Sequence, residues 1–182
     1  MGDPIFVTES AAIAGVRMVA PNRHEDHRGW FAEVFRADLV RLDQPTAQVN
    51  LSVSHRGVLR GLHFHHRQFD YWILVQGRMR VGLADLRRAS PTEGAGQILD
   101  LTEGMGLLVP PGVAHGFAAL TDLRLLYLVT AYFDGTDEHG LAWNDPEFAL
   151  PWELPFEPML SQRDLSNPVR ADMSPSTLPE FA

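Results

Sequence analysis

The sequence predicts a mainly β domain, a sandwich or barrel of short strands with few short helices. Three observations carry this. Glycine and proline, 15 and 13 residues respectively, are spread along the 182-residue chain and cut it into short pieces. Those pieces are either apolar and β-rich or alternate with a period of two. Helix-period patterns are scarce.

In chain order, the residues before Ser10 read as a short arm or an edge strand. Arg36-Ala-Asp-Leu-Val-Arg-Leu42 has the pattern of about two helical turns. Tyr71-Trp-Ile-Leu-Val75 is a β-rich run, Gln76-Gly77-Arg78 a turn, and Met79, Val81 and Leu83 then alternate with Arg80, Gly82 and Ala84, which together predicts a hairpin. Gly106-Leu-Leu-Val109 stops at Pro110-Pro111-Gly112, a turn signal. From Leu123 to Phe133 another β-rich stretch places Leu125, Tyr127 and Val129 on one face. Ser161 can cap a short helix running through Asp164. Beyond about Val169 the chain turns polar and proline-dotted, so residues 1–169 read as one domain and 170–182 as a loosely attached tail.

Composition excludes several chemistries. There is no cysteine, and all 15 basic residues are arginine. Thiolate nucleophiles, disulfides, Schiff-base lysines and a P-loop lysine are therefore absent. A net charge of -8 and a pI near 5.4 argue against a nucleic-acid partner. The start is polar, without a signal-peptide pattern, and no apolar run approaches the ~20 residues that span a bilayer. The expectation is a cytoplasmic protein with no membrane partner.

Three histidines fall in two segments that make chemical sense together. The first runs Gly57, five residues, His63-Phe64-His65, four residues, Asp70, six residues, Gly77. The second runs Gly104, five residues, Pro110-Pro111-Gly112, two residues, His115. On a strand, His63 and His65 share a face, with Asp70 expected from the next strand of the same sheet. The pair of segments resembles the two motifs of the cupin superfamily, with aspartate for the commoner glutamate and Ala119 for the commoner asparagine. That resemblance implies a double-stranded β-helix, or jelly-roll, barrel. Its metal-binding members imply a possible divalent-ion set of His63, His65, Asp70 and His115.

A narrower family resembles more of the chain, from about Arg23 to Asp164. The matching pieces are His27-Arg-Gly-Trp-Phe-Ala-Glu33, Gln48-Val-Asn50, Gly57-Val-Leu-Arg-Gly-Leu-His63, Asp85-Leu-Arg87 with Ser90-Pro-Thr92, Ala114-His-Gly-Phe117, Trp143-Asn-Asp145 and Leu160-Ser-Gln-Arg-Asp164. They are similar to the dTDP-4-dehydrorhamnose 3,5-epimerases, a metal-independent cupin branch. The resemblance implies an isomerase that acts at C3, C5 or both on a nucleotide-linked 4-keto-6-deoxyhexose, without a cofactor. His63 would be the base, Asp164 its orienting partner and Tyr127 the residue that returns the proton. Gln48, Asn50, Arg60 and His115 would line the substrate groove. Arg28, Phe31 and Glu33 would serve the site of a neighbouring subunit, Arg28 on phosphate and Phe31 on the base, which implies a homodimer with shared sites.

The sequence departs from the family pattern at three places. Asp70 stands where the family has a lysine, His65, followed by His66, replaces its glutamine, and Phe133 aligns with a common tyrosine. These departures keep two other readings open: a metal-dependent cupin isomerase or oxygenase using the four-residue set above, and a sugar-nucleotide-binding protein without chemistry. If His63 is the base it cannot also hold a metal there, and His65, Asp70 and His115 would then form a charge-neutralising hydrogen-bond network.

Overall fold

Two antiparallel sheets face each other in a computed structural model that describes residues 5–42 and 44–181. The strands in chain order are β1 (Ile5–Glu9), β2 (Arg17–Pro21), β3 (His24–Asp26), β4 (Gly29–Phe31), β5 (Gln48–Ser54), β6 (Leu59–Phe64), β7 (Asp70–Gln76), β8 (Arg78–Asp85), β9 (Gly96–Thr102), β10 (Gly106–Val109), β11 (Val113–Ala119), β12 (Leu123–Val129) and β13 (His139–Gly140). One sheet has the order β1-β2-β10-β7-β12-β5, the other β13-β6-β11-β8-β9, and β3 with β4 forms a separate hairpin. This is the cupin-type jelly roll. Two four-residue helices, α1 (Ala37–Val40) and α2 (Gln162–Leu165), are the α-helices among the described residues, and neither is long and apolar enough to cross a membrane.

Inward residues of both sheets meet in one core that includes Leu74, Met79, Val81, Leu83, Leu107, Phe117 and Leu125. The outer faces are covered as well. Leu141, Trp143, Leu150 and Trp152 of the C-terminal segment pack over Leu59, Leu62, Phe64 and Ala84 on the back of the five-stranded sheet. Phe35, Leu39 and Val40 cover Val19, Tyr71, Ile73 and Leu108 on the back of the other. Burial on both faces explains why β7 and β11 read as continuous apolar runs and not as alternating ones.

Three expectations need correction. The segments around Gly77 are not a hairpin: β7 pairs with β10 and β12, while β8 pairs with β11 and β9 in the opposite sheet. Gly77 is a corner, held at φ 97°, where a side chain would collide with the Asp122 carbonyl and the Leu123 side chain. A turn signal between two strands says that the chain reverses, not which partner each strand then takes. The helix expected over Arg36–Leu42 is a single turn. Its N-cap Arg36 makes no side-chain cap, and Arg41 ends it in the left-handed region at φ 54°.

The tail is not loose. Leu178 and Pro179 are buried, the Arg88 N–H donates to the Pro179 carbonyl at 2.8 Å, and the Phe181 N–H donates to the Arg88 carbonyl at 3.0 Å. Arg87 lies 5.0 Å from the Phe181 ring centroid. Extended backbone can add ladder bonds to an exposed loop whatever its polarity, so polarity alone is a poor guide to attachment. Residues 5–9 form edge strand β1; residues 1–4 and 182 lie outside the described residues.

Candidate active site

The mouth of the barrel holds a cavity of about 400 Å³ lined from both sheets. His63 and Arg60 enter from β6, His115 from β11, and Gln48, Asn50, Trp72 and Tyr127 from β5, β7 and β12.

Strand β6 owes its two inward residues to a bulge. The β11 register places His115 opposite His63 but Phe117 opposite Arg60, so β6 carries one extra residue between the two pairs. Gly61 sits there at φ 110°, and a side chain on it would meet the Gly116 backbone at 2.7 Å. With a plain period of two, Arg60 and His63 would point to opposite faces; the bulge turns both into the cavity.

His63 Nε2 lies 2.7 Å from Asp164 Oδ1. Asp164 is buried in α2, whose N-cap Ser161 accepts from the Asp164 N–H at 3.1 Å, as the serine-capped helix predicted. Burial would raise the Asp164 carboxyl, but the hydrogen bond and charge of His63, with help from Ser161 and Gly61, hold it below the ordinary value. An ionised Asp164 accepts from Nε2–H, which leaves the Nδ1 lone pair as the basic atom. Glu138 Oε1 stands 3.7 Å from that Nδ1 and is paired with Arg163 at 2.6 Å. Sequence reasoning misses Glu138, because it lies in the connection just before β13 and no spacing pattern marks it.

Tyr127 faces the cavity from the opposite sheet. Burial raises its phenol above the ordinary value, with Arg60 pulling partly the other way, so it stays protonated near neutrality and able to donate. The Arg60 guanidinium is braced by the Ser54 hydroxyl at 3.0 Å and the Val53 carbonyl at 3.3 Å. Gln48 donates to Asn50 at 2.7 Å across the same wall.

His65, Asp70 and His115 meet beside this group, with one ligand-type atom from each lying within 4.8 Å of the others. Asp70 does not come from the neighbouring strand, as expected, but from the facing sheet, where it pairs with Val109 and Val129. His63 is not part of this cluster: its nitrogens face Asp164 and Glu138. Burial pushes the His115 imidazole down to about 4 despite the Asp70 charge beside it.

Arg28, Phe31 and Glu33 are not brought to this cavity. Arg28 is exposed and paired with Asp26 at 2.5 Å, Phe31 is 68% exposed, and Glu33 lies 4.0 Å from Arg36.

A jelly roll with a histidine–aspartate pair on one wall and a protonated tyrosine on the other has the parts for moving a proton. Residues 10–172 match the family described as dTDP-4-dehydrorhamnose 3,5-epimerase, and the chain belongs to that family. It is 35% identical over 175 residues to the dTDP-4-dehydrorhamnose 3,5-epimerase of Neisseria gonorrhoeae, covering 92% of this chain and 53% of that one, about half its length. Among solved structures, NovW, a 4-keto-6-deoxy sugar epimerase of Streptomyces spheroides, superposes with a TM-score of 0.90 at 32% identity, covering 100% and 96% of the two chains. ChmJ, a 3'-monoepimerase of Streptomyces bikiniensis in complex with dTDP-quinovose, gives 0.88 at 33% identity, covering 95% and 93%. These relationships support the epimerase reading over the metal-dependent and non-catalytic alternatives.

Proposed function

We propose that this protein epimerises a dTDP-linked 4-keto-6-deoxyhexose at C3, at C5 or at both. The observation that carries the reading is the 2.7 Å His63–Asp164 pair facing Tyr127 across the cavity. His63 Nδ1 takes the proton next to the ketone, and the electron pair of the C–H bond delocalises onto the C4 oxygen as an enolate. The Tyr127 hydroxyl then gives a proton to the other face of the same carbon, which inverts it. Tyr127 is reprotonated and His63 deprotonated by exchange with solvent, so protons balance. Arg60 supplies positive charge to the same cavity. The carbon is neither oxidised nor reduced overall, and these proton transfers need no cofactor.

Gln48, Asn50, Arg60 and His115 are the substrate-contacting residues in this reading. The nucleotide end is completed by Arg28, Phe31 and Glu33 of a second copy, in a homodimer. Two features support this. The outward side of edge strand β5 is an apolar stripe of Val49, Leu51 and Val53, each more than half exposed. The β3–β4 hairpin carries exposed Trp30 and Phe31 on a two-stranded arm separate from both sheets. Residues 1–169 form the epimerase unit in this reading, and 170–182 is a tail whose residues 178–181 dock on the loop at Arg88. A nucleotide-sugar substrate fits a cytoplasmic site of action.

The test is deuterium wash-in at C3 and C5 of dTDP-4-keto-6-deoxyglucose, followed by NMR in D2O. Exchange at one or both carbons is expected, and the pattern names the centre. Tight dTDP binding without exchange would make it a binding protein, and neither binding nor exchange would discard the reading. Sedimentation should show a dimer; a monomer at micromolar concentration would sink the shared site.

A further inference from the structure

The geometry points to a divalent transition-metal site formed by His65, Asp70 and His115, beside the His63–Asp164 pair and distinct from it.

The backbone fixes the orientation of the two imidazoles. His65 Nδ1 lies 2.6 Å from the Asp137 carbonyl, and His115 Nδ1 lies 2.9 Å from the Val113 carbonyl. A carbonyl can only accept, so in each ring Nδ1 carries the proton and, in the neutral ring, Nε2 presents a lone pair. Both Nε2 atoms are turned towards the same carboxylate oxygen. Asp70 Oδ2 stands 3.4 Å from His65 Nε2 and 3.5 Å from His115 Nε2. Three electron-pair donors thus converge, two of them with their tautomer already set. This is how metal-ligating histidines are held, by a partner on the other ring nitrogen.

The distances separate the two histidine–aspartate contacts from closed charge-assisted hydrogen bonds. Charge-assisted N–H···O bonds close to about 2.7–2.9 Å, as His63 and Asp164 do at 2.7 Å. The contacts at 3.4 and 3.5 Å fall outside that range. These two separations match edges of a coordination polyhedron, since ligands about 2.0–2.2 Å from one ion stand about 3.0–3.5 Å from each other, and the third edge, between the two histidines, is within 4.8 Å. The Gln68 amide spans the open side, 3.2 Å from His65 Nε2 and 3.3 Å from each Asp70 oxygen. It can turn its oxygen to the same point, because amide N and O exchange by rotation alone.

Burial restricts what can supply positive charge. The side chains of His65, Asp70 and His115 are only 11%, 5% and 7% exposed, and among the described residues no arginine is an ion-pair partner of theirs. Two imidazoles and one carboxylate suit zinc, iron(II), cobalt(II), nickel or manganese, and not the all-oxygen shells preferred by magnesium or calcium. The cluster lines the cavity that holds His63 and Tyr127, so the remaining coordination positions open on the substrate space. There a metal would face an oxygen of the substrate. That last role rests on the proposed epimerase reading; the binding site itself does not.

Tag-free full-length protein, stripped with chelator, is titrated with cobalt(II) and followed by its visible absorption. Zinc competition and elemental analysis of the unstripped protein accompany the titration. One equivalent of cobalt is expected, displaced by zinc, with a visible spectrum of low-symmetry coordination. His65→Ala and Asp70→Ala should each weaken cobalt binding at least about tenfold, the loss of one ligand from three. The metal-free melting curve of the half-buried His65→Ala variant shows whether that loss reflects unfolding. His63→Ala should bind cobalt as the parent does while losing proton exchange, so failure of the metal site and failure of the epimerase reading are told apart. No cobalt or zinc bound at millimolar metal would overturn the site. So would binding that is unchanged in folded His65→Ala and Asp70→Ala, or binding that disappears in His63→Ala while those two retain it.

Discussion

Two buried aspartates at the two ends of the β7–β8 passage are treated in opposite ways. Asp85, the last residue of β8, is fully buried and saturated. Arg87 grips it through Nε at 2.7 Å and a terminal nitrogen at 2.8 Å, and the hydroxyls of Ser90 and Thr92 each donate at 2.7 Å. Asp70, the first residue of β7, is 4% exposed and, among the described residues, its carboxylate has the Gln68 amide as its one hydrogen-bond donor, at 3.3 Å. A carboxylate surrounded by close donors has no capacity left and serves the fold. One that is held in place by its strand but loosely contacted keeps its lone pairs for something else. Asp164 lies between these cases, with one short bond to His63 that belongs to the proposed chemistry.

The comparison can be broken or sharpened experimentally. The largest effect is expected at the proposed catalytic pair, His63 and Asp164. His63→Ala should reduce deuterium exchange about 10²–10⁴-fold with little change in melting temperature, the cost of losing a general base. Full exchange in that variant would remove His63 from the role. Asp85→Ala should cost about 3–5 kcal/mol in urea unfolding, because it strands a buried arginine, whereas Asp70→Asn in metal-free protein should cost no more than about 1 kcal/mol. Equal costs would erase the distinction between the two carboxylates.

A smaller effect is expected at the tail. Leu178→Ala should lower stability by about 2 kcal/mol, at the low end for a buried leucine near the surface. No change would mean that the tail contributes only its backbone bonds.

The smallest effect concerns acid. Burial works to raise the Asp85 carboxyl, but the bonds from Arg87, Thr92 and Ser90 outweigh it and hold the value below normal. A depressed carboxyl means that the unfolded chain binds the proton first. Its stabilisation is therefore complete above the unfolded value of about 3.9 and fades as pH falls through the lower folded value. Asp85→Asn should flatten the loss of stability between about pH 5 and about pH 2; a slope equal to the parent's would place the acid sensitivity elsewhere.

Much of the site is legible in the amino-acid sequence. The His63, His115 and Asp70 spacings, the Ser161 cap and the Leu125-Tyr127-Val129 face are local patterns, and local patterns survive in one dimension. The strand pairing around Gly77, the attachment of residues 178–181 and the part played by Glu138 are not legible there. Each depends on what another segment does at that point in space, which no local period records.

By itself the sequence determined the class of the fold, through short β-rich pieces cut by glycine and proline. It also determined the chemistry available, an all-arginine, cysteine-free chain with its histidines in two motif segments. Only the tertiary structure decided how that chemistry is aimed. Arg60 and His63 face one cavity because a bulge at Gly61 breaks the two-residue period of β6. Asp164 reaches His63 across 101 residues because the C-terminal segment packs on the back of the same sheet. Asp70 meets His65 and His115 because its strand belongs to the facing sheet and not to theirs. Direction and distance between side chains are set by sheet pairing and bulges, and these are properties of the packed whole.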